Sequence, residues 1–137
     1  MPASATSGFC MMALTAVLVS ACGSAKTAGG LSAAGGSLQL GPAQRQIVEK
    51  GVRQIIHDSG AAKIKTMKAA AAKAPGHANV CGYVSYAAAG GGGSVEQQYF
   101  IELGPEAGVE TALRGQVASN PAKRAKVEFI CRRAGLD

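Results

Sequence analysis

The sequence predicts an α+β domain, with an N-terminal amphipathic helix packed on a small antiparallel sheet of about four strands and one disulfide. Three observations predict it. After Pro42 the apolar residues Ile47, Val48, Val52, Ile55 and Ile56 recur at helical spacing. Beyond residue 61, several runs alternate apolar and polar side chains, as half-buried strands do. Two cysteines, Cys81 and Cys131, stand far apart within that region.

The elements follow in order. Pro42 suits the first turn of a helix, where its missing N–H costs nothing. Gln44, Arg45, Glu49, Lys50, Arg53 and Gln54 take the faces away from the apolar stripe. Gly51 lies on the stripe, where it costs up to about 1 kcal/mol of helix stability, and so marks a close approach to a sheet. His57, Asp58, Ser59 and Gly60 end the helix with a cation and a glycine. Ala62, Ile64 and Thr66 then alternate with Lys63, Lys65 and Met67. KAAAAKA at 68–74 reads as a strand end or loose turn, broken by Pro75 and Gly76. Val80, Gly82, Val84 and Tyr86 alternate with Cys81, Tyr83 and Ser85, and Val95, Gln97, Tyr99, Ile101 and Leu103 form the next run. The glycines at 90–93 between them read as a hairpin loop, where positive φ is needed. Val109, Ala112, Leu113 and Val117 are spaced for a short amphipathic helix, which Gly104 and Pro105 precede and Asn120 and Pro121 close. A last strand places Val127, Phe129 and Cys131 opposite Lys126, Glu128 and Ile130.

Composition sets bounds. The 137 residues carry 14 Lys+Arg against 8 Asp+Glu, a net charge of +6, and no tryptophan. A length of this order implies one domain. With few aromatics the core rests on Val, Ile, Leu and Ala, and a folded part of about 95 residues buries only a modest one. The basic balance fits an anionic partner, and equally a solvated cationic surface.

The first 21 residues hold no charged side chain. Residues 9–20, FCMMALTAVLVS, form an apolar run too short for the roughly 20 helical residues that span a bilayer, but right for a signal-peptide core. The run leads into Val19, Ser20, Ala21 and Cys22, which together resemble a bacterial lipobox. That resemblance implies cleavage before Cys22, a diacylglycerol on its thiol and acylation, as by palmitate, of its new amino group. Several acyl chains anchor stably, because each buried methylene contributes about 0.8 kcal/mol. Gly23, where aspartate would retain a lipoprotein in the inner membrane, favours the outer membrane by analogy with enterobacterial sorting. An ordinary secretory signal and a short buried helix stay open as alternatives. Residues 23–40 are rich in Gly, Ser and Ala and read as a flexible tether. The expected organisation is a signal peptide at 1–21, a tether at 22–40 and the α+β domain at 41–137.

With Cys10 removed and Cys22 lipidated, Cys81 and Cys131 remain as a pair in an oxidising compartment, which makes a disulfide the expectation. It closes a loop worth roughly 4 kcal/mol in the chain-entropy model. A metal or redox pair is the alternative, but there is no CxxC, and His57 and His77 lack ligand spacing.

Residues 58–63, DSGAAK, then VCGYVSY at 80–86, the glycines at 90–93, and Tyr99, Phe100 and Ile101 resemble a group of small uncharacterised bacterial lipoproteins. Their pattern is DP-x-S-A-K/R-F, then V-C-G-x-V-N-x-K-N-x-x-G-G-Y, then an F-I strand. The resemblance covers residues 44–102. Ser85 and Ala87 stand where the family has Asn and Lys, and Ser94 where it has an aromatic. It implies a periplasm-facing lipoprotein and carries over no catalytic residue.

Other chemistries fit poorly. A phosphate loop needs Lys-Ser/Thr and a helix after its glycines, whereas Ser94, Val95 and Glu96 open a strand. Ser59 beside His57 and Asp58 is a sequence neighbourhood better suited to turn chemistry than to a hydrolase. Glu96, Glu102, Glu106 and Glu110 read as surface acids. The basic groups Lys63, Lys65 and Lys68, with Lys123, Arg124 and Lys126 and then Arg132 and Arg133, would form a patch for an anionic glycan or lipid if they lay on neighbouring strands. A solvated face is the plain alternative. The expectation is therefore a lipid-anchored envelope protein, without cofactor, catalytic residues or nucleic-acid partner, that binds an envelope protein or anionic component. The alternative is a periplasmic inhibitor of an envelope-attacking enzyme such as lysozyme.

Overall fold

The computed structural model describes residues 32–34, 36–57, 61–88 and 90–137. The expected signal peptide, Cys22 and most of the expected tether lie outside the described residues. The elements run β1 (Ser32–Ala34), β2 (Ser37–Gln39), α1 (Pro42–Ile56), β3 (Lys63–Ala71), β4 (Ala78–Ala87), β5 (Ser94–Glu106), β6 (Val109–Val117) and α2 (Pro121–Arg133). The strands form one antiparallel sheet in the order β1-β2-β3-β4-β5-β6. The α+β class, the antiparallel sheet and the Cys81–Cys131 disulfide match the expectation. Two features depart from it: short strands extend the sheet beyond four, and a second helix lies at the C-terminus.

The C-terminal half exchanges a helix for a strand and a strand for a helix. Residues 109–117, expected helical, form β6. The tight turn before it explains this, because Glu106 pairs with Val109 and both loop residues have positive φ, Ala107 at 51° and Gly108 at 80°. That is the two-residue hairpin loop whose twist matches paired strands. Residues 126–131, expected extended, lie inside α2. Asn120 and Pro121 open a helix rather than closing one: Asn120 Oδ1 accepts the Lys123 N–H at 2.9 Å, and Pro121 takes the first turn. Val127 and Cys131, four residues apart, form the buried stripe of a helix.

Alternation along β4 and β5 separates two cores. Val80, Val84, Tyr99, Ile101 and Leu103 face α1 and pack with Val48 and Val52. Cys81 and Phe100 point the other way and pack with Val127, Cys131 and Leu136 beneath α2. The first core is the larger, and the disulfide joins the sheet to α2 across the thinner one. Gly51 does sit at a close approach: a Cβ there would meet Ala112 Cβ at 3.3 Å and Ile101 Cδ1 at 3.4 Å.

Gln44, expected on a solvated face, is fully buried. Its Oε1 accepts the Gly41 N–H at 2.8 Å, and its Nε2 donates to both Glu110 oxygens at 3.0 and 3.1 Å, fastening the start of α1 to β6. The helix ends at His57, itself left-handed at φ 55°, rather than at a glycine. Leu38 of β2 and Leu40 are buried, so the folded part reaches back past the expected boundary at residue 41. In β3, Ile64 pairs with Val84 and Thr66 with Tyr83, leaving Lys65 as an extra residue. The bulge reverses the alternation, so Met67 and Ala69 join the α1 core while Thr66, expected beside Ile64, turns outward. Its displaced carbonyl accepts the buried Tyr99 hydroxyl at 2.9 Å. That hydroxyl passes over Gly82, where no Cβ would fit.

Candidate functional site

The α2 face of the sheet carries the most concentrated polar chemistry of the described residues. Because Ile101 and Leu103 face α1, Glu102 between them points to the opposite side. Arg114 lies directly across from it on β6, and its Nε donates to Glu102 Oε2. His77, the residue just before β4, reaches the same carboxylate, with Nδ1 3.1 Å from Oε1. Gly104 makes room for the imidazole, since a Cβ there would sit 2.8 Å from two ring atoms. Burial pushes the Glu102 carboxyl up, but hydrogen bonds from His77 and Arg114 and their charges outweigh it, leaving its pKa below the ordinary value. An ionised carboxylate only accepts, so His77 Nδ1 carries the proton that joins them.

Beside this cluster a groove of about 460 Å³ runs between α2 and the end of β3. Phe100, Asn79 and Glu102 line its floor. Phe129, Ile130 and Arg133 line it from α2, Lys73 from the β3–β4 turn and Arg114 from β6. Phe129 is 61% exposed, with the Arg133 guanidinium 5.9 Å from its ring centroid. No hydroxyl or thiol lines the groove, and the clustered acid and bases are already paired with one another.

The residues of the expected basic patch come from two kinds of element. Lys63 and Lys65 lie on β3, but Lys123, Arg124 and Lys126 lie on α2 and not on a neighbouring strand. Lys65 pairs with Glu96 at 2.5 Å, both side chains about half exposed, a pair of small energetic weight. Lys63 and Lys65 border an open hollow with Ser85, Ser94, Gly91 and Gly93. The glycine stretch is a hairpin loop as expected: Ala88 N–H donates to Gly93 O at 2.8 Å, and Gly90, Gly91 and Gly93 have positive φ. Lys68 reaches a main-chain oxygen of the C-terminal Asp137. Asp58, Ser59 and Gly60 lie outside the described residues, as does Cys22, the expected lipidation site.

Sequence reasoning missed the grouping of His77, Glu102 and Arg114. The signal was a lone acid between two core residues on a strand, which demands partners on the second face. Among the described residues no group of three or more His, Cys, Asp and Glu can hold a metal ion, and no helix is long and apolar enough to cross a membrane. Comparison with protein-family models, curated proteins and solved structures finds no match for this chain.

Proposed function

We propose that the chain is a lipid-anchored protein of the bacterial cell envelope, acylated at Cys22, facing the periplasm and held at the outer membrane, and that it acts by binding rather than by catalysis. The observation that carries this reading is the Cys81–Cys131 disulfide, which ties β4 to α2. Such bonds persist in oxidising compartments and are rare in a reducing cytosol. It agrees with the apolar run at 9–20 and the Val19-Ser20-Ala21-Cys22 stretch, which resemble the leader of an exported lipoprotein. Binding is favoured because Glu102, His77 and Arg114 are prearranged in mutual pairs beside an open cationic groove, with no hydroxyl or thiol among its lining residues. The partner is an anionic component of the envelope. Labelled palmitate fed to bacteria expressing the chain tests the anchor. Label is expected on the unaltered chain and absent from Cys22→Ser, and label that survives the substitution rejects the reading.

A further inference from the structure

We propose that the groove between α2 and the β3–β4 turn is a binding site for an acidic saccharide, a sugar ring bearing a carboxylate. The inference deepens the binding reading above by naming its site and ligand class, and it is independent of the lipid anchor. The volume, about 460 Å³, lies in the range of small-molecule sites and suits one or two sugar rings.

Charge comes first. Lys73, Arg114 and Arg133 border the groove, against the single acid Glu102. Glu102 is already matched by Arg114 and His77. Lys73 and Arg133 have no ion-pair partner among the described residues, so an incoming anion meets two unmatched cations, one from the β3–β4 turn and one from α2. A guanidinium takes a carboxylate with paired N–H donors.

The remaining groups select among anions. Phe129 is exposed on the α2 wall, with the Arg133 guanidinium near its ring. An aromatic face in that position packs against the C–H face of a sugar. The Asn79 side chain, with no partner among the described residues, lines the floor and both donates and accepts, as ring hydroxyls require. Glu102, ionised and with acceptor capacity beyond its two donors, takes hydroxyl protons but repels a second negative charge. That disfavours a dianionic phosphate and favours a singly charged carboxylate attached to hydroxyls. Other features carry less. The hollow at Lys63 and Lys65 has one of its two lysines neutralised by Glu96. The free edge of β6 is bulged between Glu102 and Leu103 of its partner strand, a device that discourages strand addition.

Calorimetric titration of the oxidised full-length chain, in detergent, tests the proposal with three probes: methyl galacturonoside, its neutral counterpart methyl galactoside, and inorganic phosphate. Methyl galacturonoside, with its single carboxylate, is expected to bind, at least tenfold more tightly than either other probe. Arg133→Ala and Lys73→Ala, both at exposed positions, are each expected to weaken it at least tenfold, while Lys123→Ala leaves it unchanged. Circular dichroism of each variant verifies the fold, and the two groove variants stand on different elements. Equal binding of the neutral sugar, tighter binding of phosphate, indifference to both groove substitutions, or no heat at about 1 mM ligand overturns the proposal. None of these outcomes bears on palmitate labelling, so failure of the groove and failure of the anchor are distinguishable.

Discussion

Gly82→Ala is the most discriminating substitution in the fold. Gly82 pairs with Met67 on one side and Tyr99 on the other, at the centre of the sheet. A Cβ there would lie 1.9 Å from the Thr66 carbonyl oxygen and 2.7 Å from the Tyr99 hydroxyl. The first atom is backbone of the neighbouring strand, so β3 must move away. The second belongs to a fully buried side chain whose hydroxyl donates to that same carbonyl. Breaking this bond within the core costs about 1–3 kcal/mol. Forcing a methyl group into packed space costs about 1–3 kcal/mol more. The sum, about 4 kcal/mol, is a large part of the roughly 5–15 kcal/mol that holds a domain folded. Urea unfolding followed by circular dichroism, with the disulfide intact, measures it. At a slope of about 1.5 kcal/mol per molar, the midpoint falls by roughly 2–3 M. Tyr99→Phe keeps the ring and loses only the hydrogen bond, so it costs about 1–2 kcal/mol. In the Tyr99→Phe background, Gly82→Ala still destabilises, because the carbonyl remains in the way. A Gly82→Ala variant within about 0.5 kcal/mol of the parent, the range of an ordinary surface change, would refute this reasoning. So would complete rescue by Tyr99→Phe.

Other substitutions probe separate links. Replacing both Cys81 and Cys131 by Ala removes about 4 kcal/mol in the chain-entropy model, and amide hydrogen exchange should show α2 losing protection before α1, because its core is the thinner. Ala107 holds a left-handed conformation at φ 51°, so Ala107→Asn, which favours this hairpin turn, should raise stability by about 0.5–1 kcal/mol in the same urea assay. Glu102 is more acidic in the folded state than in the unfolded chain. Its contribution is therefore complete above the ordinary carboxylate range and is lost as pH falls through the lower folded value. Thermal unfolding across that acid range should be steeper in pH for the parent than for Glu102→Gln, and identical slopes would remove the charge pairing from the account.

The sequence carried the first helix and the two central strands because each has strong internal periodicity. Val48 and Val52 mark a helix face, and Val80, Val84, Tyr99 and Ile101 mark one face of two strands. The hairpin loop was legible in its glycines, and the disulfide in cysteine number together with the expected compartment. Legibility failed where the second face of the sheet was involved. Residues 109–117 place Val109, Ala112, Leu113 and Val117 at helix-like intervals only because a bulge interrupts the strand alternation near Leu113. Residues 126–131 alternate by chance, with Phe129 in solvent and Ile130 partly buried. The local signals that decide both cases are the Ala107-Gly108 turn and the Asn120-Pro121 cap. With α2 unrecognised, the second face had no cover, so Glu102 read as a surface acid and Lys126 as a strand residue. The bulge at Lys65 was equally hidden, because a one-residue insertion leaves no compositional trace.

The Cys81–Cys131 bond ties the sheet to α2, and we propose that it forms in an oxidising compartment. Alkylation of the chain recovered from its own cells, in denaturant, before and after reduction, and read by mass spectrometry, tests it directly. Cys81 and Cys131 are expected to be unmodified before reduction and both labelled after it. Labelling of both thiols without reduction would contradict it.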